Sequence, residues 1–185
     1  MQKLIQIDTQ LFQWINSYQN SFFDEIMIIL SDRNILAAVI FCYFIYKFYK
    51  RGRGAFLLIG TVLTTFLMTD AFCFQVLKPT IKRYRPCYTL KNVNLPDGGC
   101  GGYFSLPSNH AANSAAILTT LFLFHRKRKY LVLLLLAIPI GYSRIYLGVH
   151  YPVDIFAGYV IGFTMAILVF ALGNRFGLKL NHWRT

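Results

Sequence analysis

The sequence predicts an all-α fold, a polytopic membrane bundle of about five transmembrane helices with an interfacial amphipathic segment at its N-terminus. Three observations carry that expectation. Hydrophobic residues make up 56% of the 185 positions and charged residues only 14%, whereas about a quarter of an ordinary soluble domain is charged. The apolar residues gather into five runs, and the basic residues gather between those runs. The length suits a single domain over 1–185.

Residues 1–33 come first and differ from the rest. Asp8, Gln10, Gln13, Asn16, Asn20, Asp24 and Glu25 interrupt the apolar pattern too often for a span. Leu4, Ile5, Leu11, Phe12 and Ile15 recur near helical spacing beside Trp14, the pattern of a helix lying in the membrane interface. A second short helix is expected from Phe22 to Leu30, and a sixth, distorted span is the competing reading. No basic region followed by an apolar run opens the chain, so no cleavable signal peptide is expected.

The five apolar runs lie at roughly 34–49, 55–77, 109–125, 130–147 and 153–174, near the 20 or so residues that cross a hydrocarbon core. The first is short, but Lys47 and Lys50 can snorkel to the surface. Pro139 and Gly141 predict a kink in the fourth. Residues 175–185 form a tail.

Orientation follows from the loops. Lys47, Lys50, Arg51 and Arg53 separate the first two runs; Arg126, Lys127, Arg128 and Lys129 separate the third and fourth; Arg175, Lys179 and Arg184 follow the fifth. None of these regions holds an acidic residue, so the positive-inside rule places them in the cytoplasm. The net charge of +12 belongs to these scattered loops, which form no continuous stripe, and nucleic acid is not expected as a partner.

Three blocks then fall on the outer side: Lys78 to Pro86, Pro107 to His110, and Ser143 to Asp154. Charge at the edge of a span is costly and marks function. Arg85 and Arg144 suit a phosphate because the guanidinium fork matches its oxygens in pairs, and Lys78 adds a point charge. Ser108 can donate its hydroxyl, and the free amides of a helix beginning there favour an anion. His150 and Asp154 are four residues apart, so a helix would put both on one face. Asp154 would then orient the imidazole and leave its other nitrogen free to attack phosphorus. His110 is the candidate general acid. Taken singly, each block also reads as a headgroup anchor, a structural histidine or a helix cap; their conjunction on one side favours a common site.

The blocks resemble the signature of the type 2 phosphatidic-acid phosphatase superfamily, K-x6-R-P, P-S-G-H and S-R-x5-H-x3-D, at every position but one. The resemblance implies that Lys78, Arg85 and Arg144 bind phosphate with Ser108 assisting. It also implies that His150 forms a phosphohistidine oriented by Asp154, and that His110 protonates the leaving oxygen. It implies no metal and no cofactor. The departure is Asn109, where the family has glycine. Glycine permits positive φ or a close backbone approach, and Asn is the next most tolerant residue; its amide is a further candidate donor to phosphate.

Other residues leave alternatives open. Asp70 reads as a structural acceptor or as a partner of the basic cluster. Lys82 and Arg83 read as solvated surface charges or as part of an electrostatic funnel. The loop 87–106, with its Gly98 to Gly102 cluster, reads as a lid or a connector. Cys42 and Cys73 lie in apolar runs, while Cys87 and Cys100 flank the polar loop, where a disulfide forms only if the compartment is oxidising and the geometry allows it. His125 and His182 fall on the cytoplasmic side and are excluded from catalysis.

The expected activity is hydrolysis of a lipid phosphate or diphosphate on the outer face of a bacterial cytoplasmic membrane, with the lipid and the bilayer as partners and no obligate protein partner. By resemblance the substrates are undecaprenyl diphosphate or lipid A 1-phosphate, then phosphatidylglycerophosphate or phosphatidate. A lipid or anion transporter using the same cradle without hydrolysis is the alternative, although no internal repeat is visible. A haloperoxidase-like vanadate site shares the pattern, but the membrane spans argue against it.

Overall fold

The computed structural model describes residues 2–178 and 180. Ten helices follow in order: α1 Gln2–Ser17, α2 Ser21–Ser31, α3 Arg33–Arg51, α4 Ala55–Ala71, α5 Lys78–Ile81, α6 Pro86–Thr89, α7 Asn109–His125, α8 Arg128–Leu133, α9 Ala137–Tyr146 and α10 Pro152–Arg175. Lys179, His182 and Arg184, used above for orientation and for exclusion from catalysis, lie outside the described residues.

Among the described residues, three continuous helical stretches are long and apolar enough to cross a membrane: Arg33–Ile81, Arg128–Tyr146 and Pro152–Arg175. The first is 49 residues long, about twice what one crossing needs, and it divides at Gly52, whose φ of +53° ends α3. With the 17-residue α7, the five apolar runs of the sequence each correspond to a helical segment. α4 does not stop where the apolar run does. It widens into π-helical turns over Phe72–Leu77 and continues through α5, so Lys78 leaves a helical backbone. Such local widening re-aims the residues that follow it.

The fourth run is not one uniform α-helix. A tighter 3₁₀ turn, Leu134–Leu136, separates α8 from α9, one turn before Pro139, which cannot donate to the turn behind it. The Tyr159 hydroxyl of α10 also donates to the Ala137 carbonyl at 2.7 Å. It fills the space over Gly141, where an added Cβ would lie 1.9 Å from the hydroxyl oxygen.

α7 is the axis of the bundle, with 11 of its 17 residues buried. Its small residues Ala111, Ala112, Ala115 and Ala116 let α10 approach closely. A Cβ on Gly158 would meet the Ser108 carbonyl at 2.7 Å, and one on Gly162 would meet the Ala112 carbonyl at 2.1 Å, so only glycine fits at either position. On the other side, Thr61, Thr65 and Thr69 of α4 turn a buried stripe inward, each hydroxyl donating to the carbonyl four residues before it. The outward positions of α10, Val153, Phe156, Val160, Phe163 and Ile167, are exposed and apolar, as a lipid-facing surface requires.

Because Gly158 meets Ser108 and Gly162 meets Ala116, α7 and α10 run parallel. Their N-termini therefore share one end of the bundle. At the other end Tyr43 meets His125 at 3.0 Å and Lys47 donates to the Tyr130 hydroxyl at 3.3 Å, gathering the loops rich in lysine and arginine. The three motif blocks and the basic loops thus occupy opposite ends, as the hydropathy reading requires.

α1 packs against α9 and α10 at the motif end. It buries Asp8, Phe12, Ile15 and Asn16 and exposes Leu4, Ile5, Leu11 and Trp14. Asn16 donates to the carbonyls of Asn94 and Tyr146 and accepts from the Asn94 amide.

Candidate active site

Lys78, Arg85 and Arg144 are held by neutral acceptors. Lys78 is buried, and its Nζ donates to the carbonyls of Phe104 at 2.9 Å and Ser105 at 3.2 Å. Arg85 donates through Nη1 to the Cys100 carbonyl at 2.7 Å and through Nε to the Phe104 carbonyl at 3.4 Å. Arg144 donates to the Ser31 hydroxyl, and its Nε is buried without a partner. Among the described residues none of the three pairs with a carboxylate. No direct ion pair takes up their positive charges, which is the electrostatic condition for binding an anion.

The loop 87–106 supplies all of those carbonyls. A Cys87–Cys100 disulfide closes it, the Tyr88 hydroxyl donates to the Gly101 carbonyl at 2.8 Å, and an antiparallel bridge joins Tyr84 to Phe104. Gly101 has φ +72°, and a Cβ there would press to 3.2 Å from the Arg85 guanidinium. The segment is a strap fastened over Lys78 and Arg85.

His150 lies in the turn before α10, two residues ahead of its first residue Pro152. The pair with Asp154 is therefore set by the helix cap, whereas the sequence reading had expected a shared helix face. Asp154 is fully buried and occupies the N3 position; its Oδ2 accepts from the Tyr151 amide at 2.8 Å and stands 3.5 Å from His150 Nδ1. At that distance Nδ1 is close to the carboxylate but buried without a hydrogen bond. Burial first, then the charges of Arg85, Lys78 and Arg144, hold the His150 pKa well below its ordinary value. The imidazole is neutral and its lone pair available near pH 7.

His110 is bonded through Nε2 to the Ser31 carbonyl at 3.0 Å. A carbonyl only accepts, so this nitrogen carries the proton. Ser31 thus touches both His110 and Arg144, from the end of α2. Ser108 is fully buried and caps α7, its hydroxyl accepting from the Ala111 amide at 3.5 Å and its own amide donating to the Asp154 carbonyl at 3.0 Å.

Asn109 is the first residue of α7 and does not have positive φ, so the conformational freedom of glycine is not required there. Its side chain points to α4, donating to Asp70 Oδ1 at 2.8 Å, and Asn113 donates to the same oxygen at 2.8 Å. Asp70 is a structural acceptor joining α4 to α7, and the Asn109 amide is occupied by it.

Two further residues change the picture. Arg83, expected at the solvated surface or in a funnel, is instead part-buried and bridges two carboxylates, Asp154 at 2.9 Å and Asp8 at 2.6 Å. Asp8 also accepts from the Val153 amide at 2.9 Å. The scarcity of acidic residues in an apolar chain was the available signal for Asp8; Ser31 carries no comparable signal.

The fold and the site together define a class: a membrane-embedded helical protein with a histidine–aspartate pair beside an anion cradle. The PAP2 superfamily model matches residues 54–177, and the chain belongs to that superfamily as an integral membrane phosphatase. It is 29% identical over 184 residues to the lipid A 4'-phosphatase of Bacteroides thetaiotaomicron, covering 96% of this chain and 81% of that one. It is 28% identical over 164 residues to the undecaprenyl-diphosphatase of Sulfolobus acidocaldarius, covering 89% and 77%. The crystal structure of Aquifex aeolicus LpxE superposes with a TM-score of 0.66 at 27% identity, covering 87% of this chain and 93% of that one. A transmembrane PAP2 type phosphatidylglycerolphosphate phosphatase from Bacillus subtilis shares the fold, with a TM-score of 0.71 at 22% identity over 95% of this chain and 88% of that one.

Proposed function

We propose that the protein hydrolyses the phosphate or diphosphate of a membrane lipid through a phosphohistidine intermediate. The observation that carries this reading is a neutral His150 held 3.5 Å from buried Asp154, beside three cations with no carboxylate partner. Lys78, Arg85 and Arg144 bind the phosphate oxygens, with the Ser108 hydroxyl assisting. Nε2 of His150 attacks phosphorus, and the bond to the lipid or leaving phosphate oxygen breaks. The Nε2 proton of His110 stays hydrogen-bonded to the Ser31 carbonyl, so His110 acts as general acid in its imidazolium form and passes the Nδ1 proton to that oxygen. Water then attacks phosphorus while the phosphorus–nitrogen bond breaks, and its proton passes to Nδ1 of His110, releasing phosphate and restoring both histidines. No step calls on a metal. The cations neutralise charge on the phosphoryl oxygens throughout, the largest contribution available in phosphoryl transfer.

The site faces outside, because the basic loops lie at the opposite end of the bundle and basic loops stay in the cytoplasm. The exposed apolar faces of the helices keep the lipid tail in the bilayer while the head group reaches the cradle. Undecaprenyl diphosphate and lipid A 1-phosphate are the leading substrates, ahead of phosphatidylglycerophosphate and phosphatidate; relatives named undecaprenyl-diphosphatase and lipid A 4'-phosphatase align over most of this chain, which sets the 4'-phosphate of lipid A beside its 1-phosphate.

The test is phosphate release from these four lipids in detergent with a chelator present. Wild type is expected to turn over at least one, and His150→Ala none. Equal release by the two proteins would overturn the mechanism.

A further inference from the structure

Asp154 stands in a site where none of its side chain reaches solvent. An isolated buried carboxylate is strongly destabilised, so its partners decide whether it can serve His150. One oxygen is taken by the Tyr151 amide and the other by Arg83. Had Arg83 no other contact, the pair would be electrically neutral and Asp154 would have little charge left for His150. The second carboxylate changes that balance. Asp8 accepts the other Nη of the same guanidinium at 2.6 Å, so one positive charge is shared between two negative ones.

The arrangement is tightly held. The Arg83 guanidinium lies over the Tyr151 ring at 4.1 Å. That ring is fixed by Phe12 at 5.4 Å and by the Thr89 hydroxyl at 2.8 Å from its own. Asp8 and Phe12 are one turn apart on the buried face of α1, and Asp8 additionally caps the first turn of α10 through the Val153 amide.

We infer that Arg83 and Asp8 are positioning residues for the catalytic pair, forming a chain Asp8–Arg83–Asp154–His150 that makes the N-terminal helix α1 part of the active site. The chain rests on the proposed role of His150 as nucleophile. In the resting state His150 is neutral. Once Nε2 bonds to phosphorus the ring becomes cationic, and the net single negative charge of the Asp8–Arg83–Asp154 cluster stabilises that state more than the resting one. An interaction stronger in the transition state than in the ground state raises kcat and leaves substrate binding alone. Arg83 does not face the cradle, in contrast to Arg85, so it has no part in holding phosphate.

The experiment measures kcat and KM for phosphate release by the purified full-length protein, using whichever of the four lipids wild type turns over. The variants are Arg83→Gln, Arg83→Lys, Asp8→Asn and the Arg83→Gln, Asp8→Asn double variant, with Arg85→Gln and His150→Ala as references and thermal unfolding in detergent as a check of folding. Arg83→Gln is expected to lower kcat roughly ten- to hundredfold, the range for a partner that orients a functional group, with KM changed less than about threefold. Arg83→Lys keeps the charge but not the fork, and recovers part of the loss. Asp8→Asn lowers kcat roughly three- to tenfold. The double variant is no slower than Arg83→Gln, because both substitutions break one chain. Wild-type kcat in folded Arg83→Gln, multiplicative losses in the double variant, or a rise in KM matching that of Arg85→Gln would each overturn the inference while leaving the functional reading intact. His150→Ala turning over at the wild-type rate would remove both.

Discussion

Arg83 and Arg85 leave the same short connection between α5 and α6 and meet opposite surroundings. On the α1 and α10 side, Arg83 is enclosed by the carboxylates of Asp8 and Asp154. On the strap side, Arg85 is enclosed by the carbonyls of Cys100 and Phe104. Carbonyl dipoles fix the direction of a guanidinium without cancelling its charge; carboxylates cancel it. The carbonyl side of the site is therefore built to receive an anion, and the carboxylate side is built to control the charge of His150. Two identical side chains acquire different work from what surrounds them.

The contrast can be broken most severely at His150, where the two sides meet. His150→Ala is expected to reduce kcat on the order of 10⁴-fold, as for other nucleophiles acting within a catalytic unit, measured by phosphate release. On the carbonyl side, Arg85→Gln removes charge-assisted bonds and should raise KM roughly ten- to hundredfold. A kcat loss at constant KM would erase the distinction from Arg83. Opening the strap is a milder challenge. Cys87→Ser with Cys100→Ser frees the loop, and KM is expected to rise about two- to fivefold with a lower unfolding temperature, since a 13-residue separation closes a loop whose cross-link contributes about 3 kcal/mol.

The blocks were readable in the sequence because each depends on residue type at short spacing, Lys78 to Arg85 or His150 to Asp154, and because apolar runs announce membrane helices by composition alone. The carboxylate side was not readable. Arg83 meets Asp154 across 71 residues and Asp8 across 75, and His110 meets Ser31 across 79. No local pattern encodes such pairs; they follow from helix packing, including the approach of α10 to α7 at Gly158 and Gly162. Asn109 shows the same limit in reverse. Its chemistry suggested a ligand donor, and packing against Asp70 gave it another partner.

Asn109→Gly sharpens that last point. The variant loses one bond to Asp70 while Asn113 keeps its own, so stability should fall by about 1 kcal/mol with kcat and KM changed less than about threefold; a large kinetic change would return Asn109 to the phosphate.

The smallest expected effect concerns pH. His150 stays neutral in the folded protein well below its ordinary pKa, whereas in the unfolded chain it takes up a proton near pH 6.5. Its contribution to stability is thus fully present above that pH and is lost as pH falls below it, with a slope of at most about 1.4 kcal/mol per pH unit. Thermal unfolding between pH 7 and pH 5 should fall more steeply for wild type than for His150→Gln. Parallel curves would show that His150 is protonated in the folded state.

The most direct measurement traps the intermediate. Wild type and His150→Ala are mixed with a lipid labelled in the phosphoryl group to be released, quenched within one turnover, and assayed for label bound to protein. Label on His150 that survives alkali and is lost in acid, and no label in His150→Ala, is the predicted result. Phosphate released by wild type at full rate with no label ever on His150 would contradict the account.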